Sequence, residues 1–285
     1  MIIRHDLRIV FLHVPKCAGK ELREVFLEGT TPDNHENFFN FSYSTHLHRH
    51  VDLAHLPMDD LVHFSANKWL EEYTVIAAIR NPYERLRSAI NEYYRQYSKS
   101  DEAITNSLGP STSMRSAYLN ELPLRHELRD PRFIHSLPIT RFTHYGADAK
   151  VDHLLRCESL RSDFLSLAEM LKLPDSISRR ARQQLRNQPV AALDQLKPSA
   201  SRDEIHMANL LYAQDFQTFG YQIHPEVSEA IDPVSSSITS LTPVENHSHS
   251  IDLIARAQQI RWHWGPSSQR VEPACLEPIR PRRKQ

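Results

Sequence analysis

The 285-residue chain is 40% apolar and 24% charged, enough apolar material to bury a substantial core in one large domain or two small ones. Its 34 Lys and Arg nearly balance its 35 Asp and Glu, so the net charge of −1 gives no support to general binding of nucleic acid or a membrane surface. Any anion site must be a local concentration of charge. Three widely spaced cysteines, Cys17, Cys157 and Cys275, argue against a disulfide framework or a paired-cysteine zinc site and fit a reducing compartment. The apolar run after Arg4, His5, Asp6 and Arg8 is too short for a signal-peptide core, and nowhere do about 18 apolar residues run together. A cytoplasmic protein without a membrane span is expected.

In chain order, Ile9 to Val14 predicts a short buried strand, followed by Pro15, a small-residue turn and a helix on which Leu22, Val25 and Phe26 fall at helical spacing. Residues 30 to 50 have no clear period and are expected to form a loop ending in an ordered segment around His48 to Leu56. Thr74 to Ile79 predicts a second strand, which Asn81-Pro82 ends. Pro82 suits the first turn of a helix, and Leu86, Ile90, Tyr93 and Tyr97 carry that helix to about Tyr97. Residues 98 to 147 are rich in Ser, Pro and Arg and are expected to be irregular, with short helices.

His153 to Cys157 predicts a third strand, and Leu160, Phe164, Leu167, Ala168 and Leu171 mark a helix ended by Pro174. A further helix is expected from Ser201, with Ser201 and Glu204 as a capping box and a stripe of Ile205, Ala208, Tyr212, Phe216 and Phe219. Strands alternating with helices predict an α/β fold with a mainly parallel sheet flanked by helices, in a domain over residues 1–224. Residues 225–285 are expected to be a Pro/Ser-rich, partly disordered extension, with one helix over 251–264.

A strand that turns into a helix leaves unpaired backbone N–H groups at the helix start, and these favour an anion. PKCAGKEL lies at that point. Ala18 and Gly19 let a phosphate approach the backbone, and Lys16 and Lys20 can place ammonium groups against its oxygens. It is not a Walker sequence, which disfavours a nucleotide triphosphatase. HVPKCAGKEL resembles the 5′-phosphosulfate loop of the sulfotransferases that use 3′-phosphoadenosine-5′-phosphosulfate (PAPS), especially the carbohydrate and heparan branch. The resemblance implies a P-loop-like fold, a cofactor loop of Pro15, Lys16, Cys17, Ala18, Gly19, Lys20 and Glu21, and a contact from Lys16 to the bridging oxygen of the donor. Members of the family resembled usually carry Thr-Ser where this chain has Lys20-Glu21, so a hydroxyl ligand is missing and an acidic group lies close by.

The segment AIRNPYERLRSAI supplies a second site. Arg80 falls at the carboxyl end of a predicted strand, and Ser88 two turns along the following helix, where the two can clamp a phosphate. Arg80, Pro82, Arg85 and Ser88 are similar to the family's 3′-phosphate motif. On the residues alone, Arg85 and Arg87 read as solvated or ion-paired helix positions. LLRCESLRSDFLSLAEMLKL and YAQDFQTFGY also resemble the family, so the likeness touches most of residues 1 to 222.

The stretch STHLHRHVDL offers His46, His48 and His50, and alternate residues of an extended segment face one way. A metal site on these three is disfavoured, since no carboxylate or cysteine joins them at ligand spacing. His48-Arg49-His50-Val51 is similar to the paired-histidine segment of heparan 2-O-sulfotransferases, which implies His50 as base and His48 in support. The resemblance thus implies transfer of a sulfuryl group from PAPS to a hydroxyl of a glycan or a peptidyl tyrosine, without a metal. The alternative is a protein of the same fold that binds PAPS or its bisphosphate product and has lost turnover.

Overall fold

The computed structural model describes residues 1–39, 41–44, 46–97, 109–187 and 202–224. The expected extension over 225–285, its helix over 251–264 and the capping Ser201 lie outside these residues. Strands β1 (Ile2–Arg4), β2 (Ile9–Leu12), β3 (His35–Asn37), β4 (Phe41–Ser44), β5 (Arg49–Asp52), β6 (Thr74–Ile79), β7 (His144–Tyr145), β8 (Asp148–Ala149) and β9 (His153–Arg156) form one five-stranded sheet and two hairpins. The sheet order is β3-β1-β2-β6-β9. Its working half, β2, β6 and β9, is parallel, while β1 joins both β2 and β3 antiparallel. The helices are α1 (Gly19–Phe26), α2 (Met58–Leu61), α3 (Lys68–Glu72), α4 (Pro82–Tyr97), α5 (Thr112–Glu127), α6 (Thr140–Thr143), α7 (Leu160–Met170), α8 (Asp175–Gln184), α9 (Arg202–Leu211) and α10 (Ala213–Phe219). This is the α/β fold expected, with helices against a sheet whose parallel strands lead into them.

β6 shows why the central strands form. Val75, Ile76, Ala77, Ala78 and Ile79 are all buried, a continuous apolar run suited to a strand covered on both faces. Each large side chain of this kind contributes about 1.5–3 kcal/mol on burial. Asn81 then ends the strand and starts α4, because its Oδ1 accepts from the backbone N–H of Tyr83 at 3.0 Å and Pro82 fills the first helical position. The core has two parts. One joins the sheet to α1, α7 and α8, with Phe26 ring-packed on Phe11 and Phe164. The other lies beyond α4 and gathers Tyr83, Leu86 and Ile90 against Tyr118, Leu119, Phe133, Tyr212 and Phe216.

Four expectations change. Residues 30 to 50 hold β3 and β4 and begin β5, since Phe41, Tyr43 and His50 pair across a hairpin instead of forming a loop. Residues 112–127 form a sixteen-residue helix, capped by Ser111, whose Oγ accepts from the Met114 amide. The stripe from Ile205 to Phe219 is divided between α9 and α10 at Tyr212. Glu204 serves as the buried partner of Arg115, at 3.0 Å. Helix α8 follows Pro174, its buried Ile177 and Ala181 closing the core beside α1.

Candidate functional site

The candidate site lies at the carboxyl ends of β2 and β6, where open α/β sheets bind ligands. After β2 the chain runs through Pro15, Lys16, Cys17 and Ala18 into α1. Lys16 (φ 64°) and Ala18 (φ 54°) adopt left-handed backbone, which turns the loop tightly beneath the helix start. Ala18 is the N-cap and no side chain caps the first turn, leaving its amides available to an anion. Gly19 is required by a neighbour: a Cβ there would stand 1.6 Å from His13 Nε2. Lys20 is exposed and Glu21 is half-buried.

Lys16, Arg80 and Ser88 converge along one face of α4. Glu84, Ser88 and Glu92 recur every fourth residue and so share that face. Glu84 meets Arg80 at 3.5 Å at one end, and Glu92 meets Lys16 Nζ at 3.3 Å at the other. Ser88 stands between the two pairs. Arg80 also donates to the Lys16 carbonyl at 3.5 Å. Burial raises the Glu92 carboxyl, but hydrogen bonds from Arg95 and Gln96 and the charges of Lys16 and Arg95 bring it down to about 2. Glu92 is therefore ionised and holds Lys16 beside the loop.

Arg85 corrects the sequence reading of a solvated or ion-paired surface residue. It is fully buried, and donates to the carbonyls of Pro15 (3.2 Å), His135 (3.2 Å) and Leu137. Glu158, just after β9, and Tyr221, just after α10, also meet here. Glu158 accepts from the Asn81 amide at 2.7 Å and from the Tyr221 hydroxyl at 3.1 Å, bracing the residue next to Arg80.

The structure separates the three alternating histidines. His46 and His48 are exposed in the residues connecting β4 to β5, His48 at φ 52°, so strand alternation does not hold them on one face with His50. His50 is stacked on Phe41 and edge-on to Tyr43. Burial lowers its pKa. The imidazole joined to the loop is His55. Its Nδ1 donates to the His13 carbonyl at 3.0 Å, which places the lone pair of the neutral ring on Nε2. Its ring centroid is 4.2 Å from that of His13 and 5.1 Å from that of His135. Asp52, His55 and His135 bring ligand atoms within 4.8 Å of one another, a spacing that fits one metal ion. Burial, then the neighbouring His55 and other positive groups, keep His13 well below its ordinary pKa.

Sequence reasoning missed Asp52, His55 and His135. One signal was available: Asp52 and His55 interrupt the apolar run VDLAHLPM, and polar groups among buried neighbours are the informative kind. His135 had no such mark. Next to Asp52 opens a groove lined by Arg49, His50, His126, Arg129 and Arg141 among others.

An uncapped helix start after β2, with Arg80 just beyond β6 and Ser88 on the helix that follows, makes an α/β fold with a site suited to an anionic ligand. The model of the sulfotransferase family matches residues 1–222, and the chain belongs to that family. It is thus a sulfotransferase. No curated protein and no solved structure gave a significant match. No helix among the described residues is long and apolar enough to cross a membrane.

Proposed function

We propose that this sulfotransferase carries a sulfuryl group from PAPS to a hydroxyl of a polar acceptor. The observation that supports this reading best is the convergence of Lys16, Arg80 and Ser88 on one face of α4, beside an uncapped helix start. Family members generally use PAPS, and the residues fit its two anionic ends. The first-turn amides of α1 and Lys16 would take the 5′ end, and Arg80 with Ser88 the 3′-phosphate. The bound donor supplies the sulfuryl group and a bisphosphate leaving group. Lys16, released from Glu92, neutralises charge that grows on the leaving oxygen. Arg85 holds the loop to the segment bearing His135.

The base is assigned to His55 in place of His50. Its Nδ1–H is tied to the His13 carbonyl, which aims a neutral Nε2 away from the loop backbone. The Asp52 carboxylate is close enough to stabilise the imidazolium that forms when His55 takes the acceptor proton. The groove beside Asp52 receives the acceptor, a sugar of a glycan or a peptidyl tyrosine, and His50 contributes to its wall. Free Cys17 and Cys157 thiols favour a cytoplasmic setting.

A second reading, a binder of PAPS or its bisphosphate without turnover, is favoured by one observation: Glu21 occupies the first turn of α1, where members of the family usually carry a hydroxyl. Calorimetry with adenosine 3′,5′-bisphosphate, paired with transfer from labelled PAPS into host extract, separates the two. Binding with a labelled product supports the enzyme. Binding without any labelled product supports the second reading, and no binding overturns both.

A further inference from the structure

Asp52 ends β5, His55 lies in the single 3-10 turn Leu53–His55 that follows, and His135 comes from the 3-10 segment Pro131–Ser136 beyond α5. Asp52 and His135 are buried and His55 is half-buried, so the fold gathers a carboxylate and two imidazoles from distant parts of the chain in a place largely shielded from water. Burying such groups costs desolvation, which a shared cation offsets. We propose that Asp52, His55 and His135 form a binding site for a zinc-like divalent cation, and that the ion inhibits transfer by occupying His55. The site rests on its own geometry; the inhibition rests on the reading of His55 as the base.

The distances fit one ion. The ligand atoms of the three side chains all lie within 4.8 Å of one another. On a tetrahedral zinc such atoms stand about 3.4 Å apart, a gap that side-chain rotation closes. Two imidazoles bound to one such ion have their centroids about 5 Å apart. Those of His55 and His135 are 5.1 Å apart. The outer contacts are also those of a ligand set, in which hydrogen bonds orient each donor. The His55 Nδ1–H donates to the His13 carbonyl at 3.0 Å, which makes Nε2 the ligand atom. Asp52 Oδ1 accepts from the Ala54 amide at 3.1 Å, fixing the carboxylate. Arg85 holds the His135 carbonyl at 3.2 Å, fixing the backbone of the third residue.

Two neutral imidazoles and one carboxylate suit zinc, whereas magnesium prefers oxygen donors alone. Asp52 lines the groove, which gives an ion a path from solvent. The groove's Arg49 and Arg129 are paired with Asp60, and Arg141 with Asp59, so their charge is offset near the entrance. Zinc on His55 Nε2 takes the lone pair that would receive the acceptor proton. Lys16, Arg80 and Ser88 are not among the ligands, so bisphosphate binding is expected to persist.

The test uses the full-length chain without a histidine tag, stripped with a chelator and titrated by calorimetry with zinc sulfate and, separately, magnesium chloride. The expected result is one tightly bound zinc ion per chain and no comparable binding of magnesium. Asp52→Asn and His135→Gln should each weaken zinc binding by about tenfold or more. Footprinting of the wild type with diethylpyrocarbonate and peptide mapping decides the matter even if those variants fold poorly, since zinc should shield His55. Transfer from labelled PAPS should fall as zinc fills the site and return when the chelator is added. No tight zinc, equal binding of magnesium, full affinity in both variants, or a His55 left open to modification would overturn the site. Zinc held by these residues with transfer unchanged or stimulated would overturn the inhibition, and with it His55 as the base. A chain that transfers nothing under any condition would overturn the enzyme reading, while the zinc titration and the footprint still judge the site.

Discussion

Arg85 donates from Nε to the carbonyl oxygen of Pro15 at 3.2 Å, and its Nη2 bonds the carbonyls of His135 and Leu137. One buried guanidinium thus joins the anion loop to the segment carrying His135, which lies beside Asp52 and His55. Arg85→Ala leaves three carbonyls without this donor, and a loss of about 3 kcal/mol or more is expected in urea unfolding. Arg85→Lys keeps the charge but not the fork, so it should recover only part of that loss. Stability unchanged in both variants would show that the clamp carries no weight.

Gly19→Ala places a methyl group 1.6 Å from His13 Nε2. The His13 ring must move, and the His55 ring packed on it moves too. Lower donor affinity and lower turnover are both expected. Adding His13→Ala to Gly19→Ala should restore affinity in part by removing the clash. A double variant no better than Gly19→Ala would place the strain elsewhere.

Two arginines that both pair with Glu84 should differ. Arg80→Ala is expected to weaken bisphosphate binding by about tenfold or more, since it removes a charge-assisted contact. Arg87, paired with Glu84 at 3.7 Å, should be replaceable by Ala with little change in affinity. Calorimetry on the two variants gives the comparison, and equal losses would argue against a specific role for Arg80.

His126 sets an acid limit on stability. Burial, followed by the charges of Arg85 and Arg141, pushes its pKa down to about 4, and its Nε2 meets Ser136 Oγ at 2.9 Å. The unfolded chain takes up a proton near pH 6.5 while the folded chain resists it. The contribution of neutral His126 is therefore present above about pH 6.5 and is lost as pH falls toward 4. His126→Gln should be less stable at neutral pH and show a flatter decline over that window when denaturation is followed as a function of pH.

The elements that carry the proposed donor site, β2, α1, β6 and α4, were legible because each rests on local signals. The buried run of β6, Pro82 at the start of α4 and the small residues before α1 state their structure within a few positions. Arg80 and Ser88 inherit their places from those elements. Arg85 was misread because its acceptors, the carbonyls of Pro15 and His135, are 70 and 50 residues away in sequence. Helix α5 escaped notice because its buried residues, Tyr118, Leu119 and Leu122, do not form a sustained stripe and Pro123 lies within it. The histidines mark the clearest boundary. Alternation placed His46, His48 and His50 together, but the chain turns back between β4 and β5, and the fold brings His55 to the loop through a contact 42 residues distant.

The most direct test of the account is sulfuryl transfer from labelled PAPS into host extract by the wild type, His55→Ala and His50→Ala, with bisphosphate affinity measured on the same samples. The account predicts a labelled product with the wild type, a loss on the order of 100-fold in turnover for His55→Ala at unchanged affinity, and only a small change for His50→Ala. Full turnover by His55→Ala, or its collapse in His50→Ala alone, would contradict it.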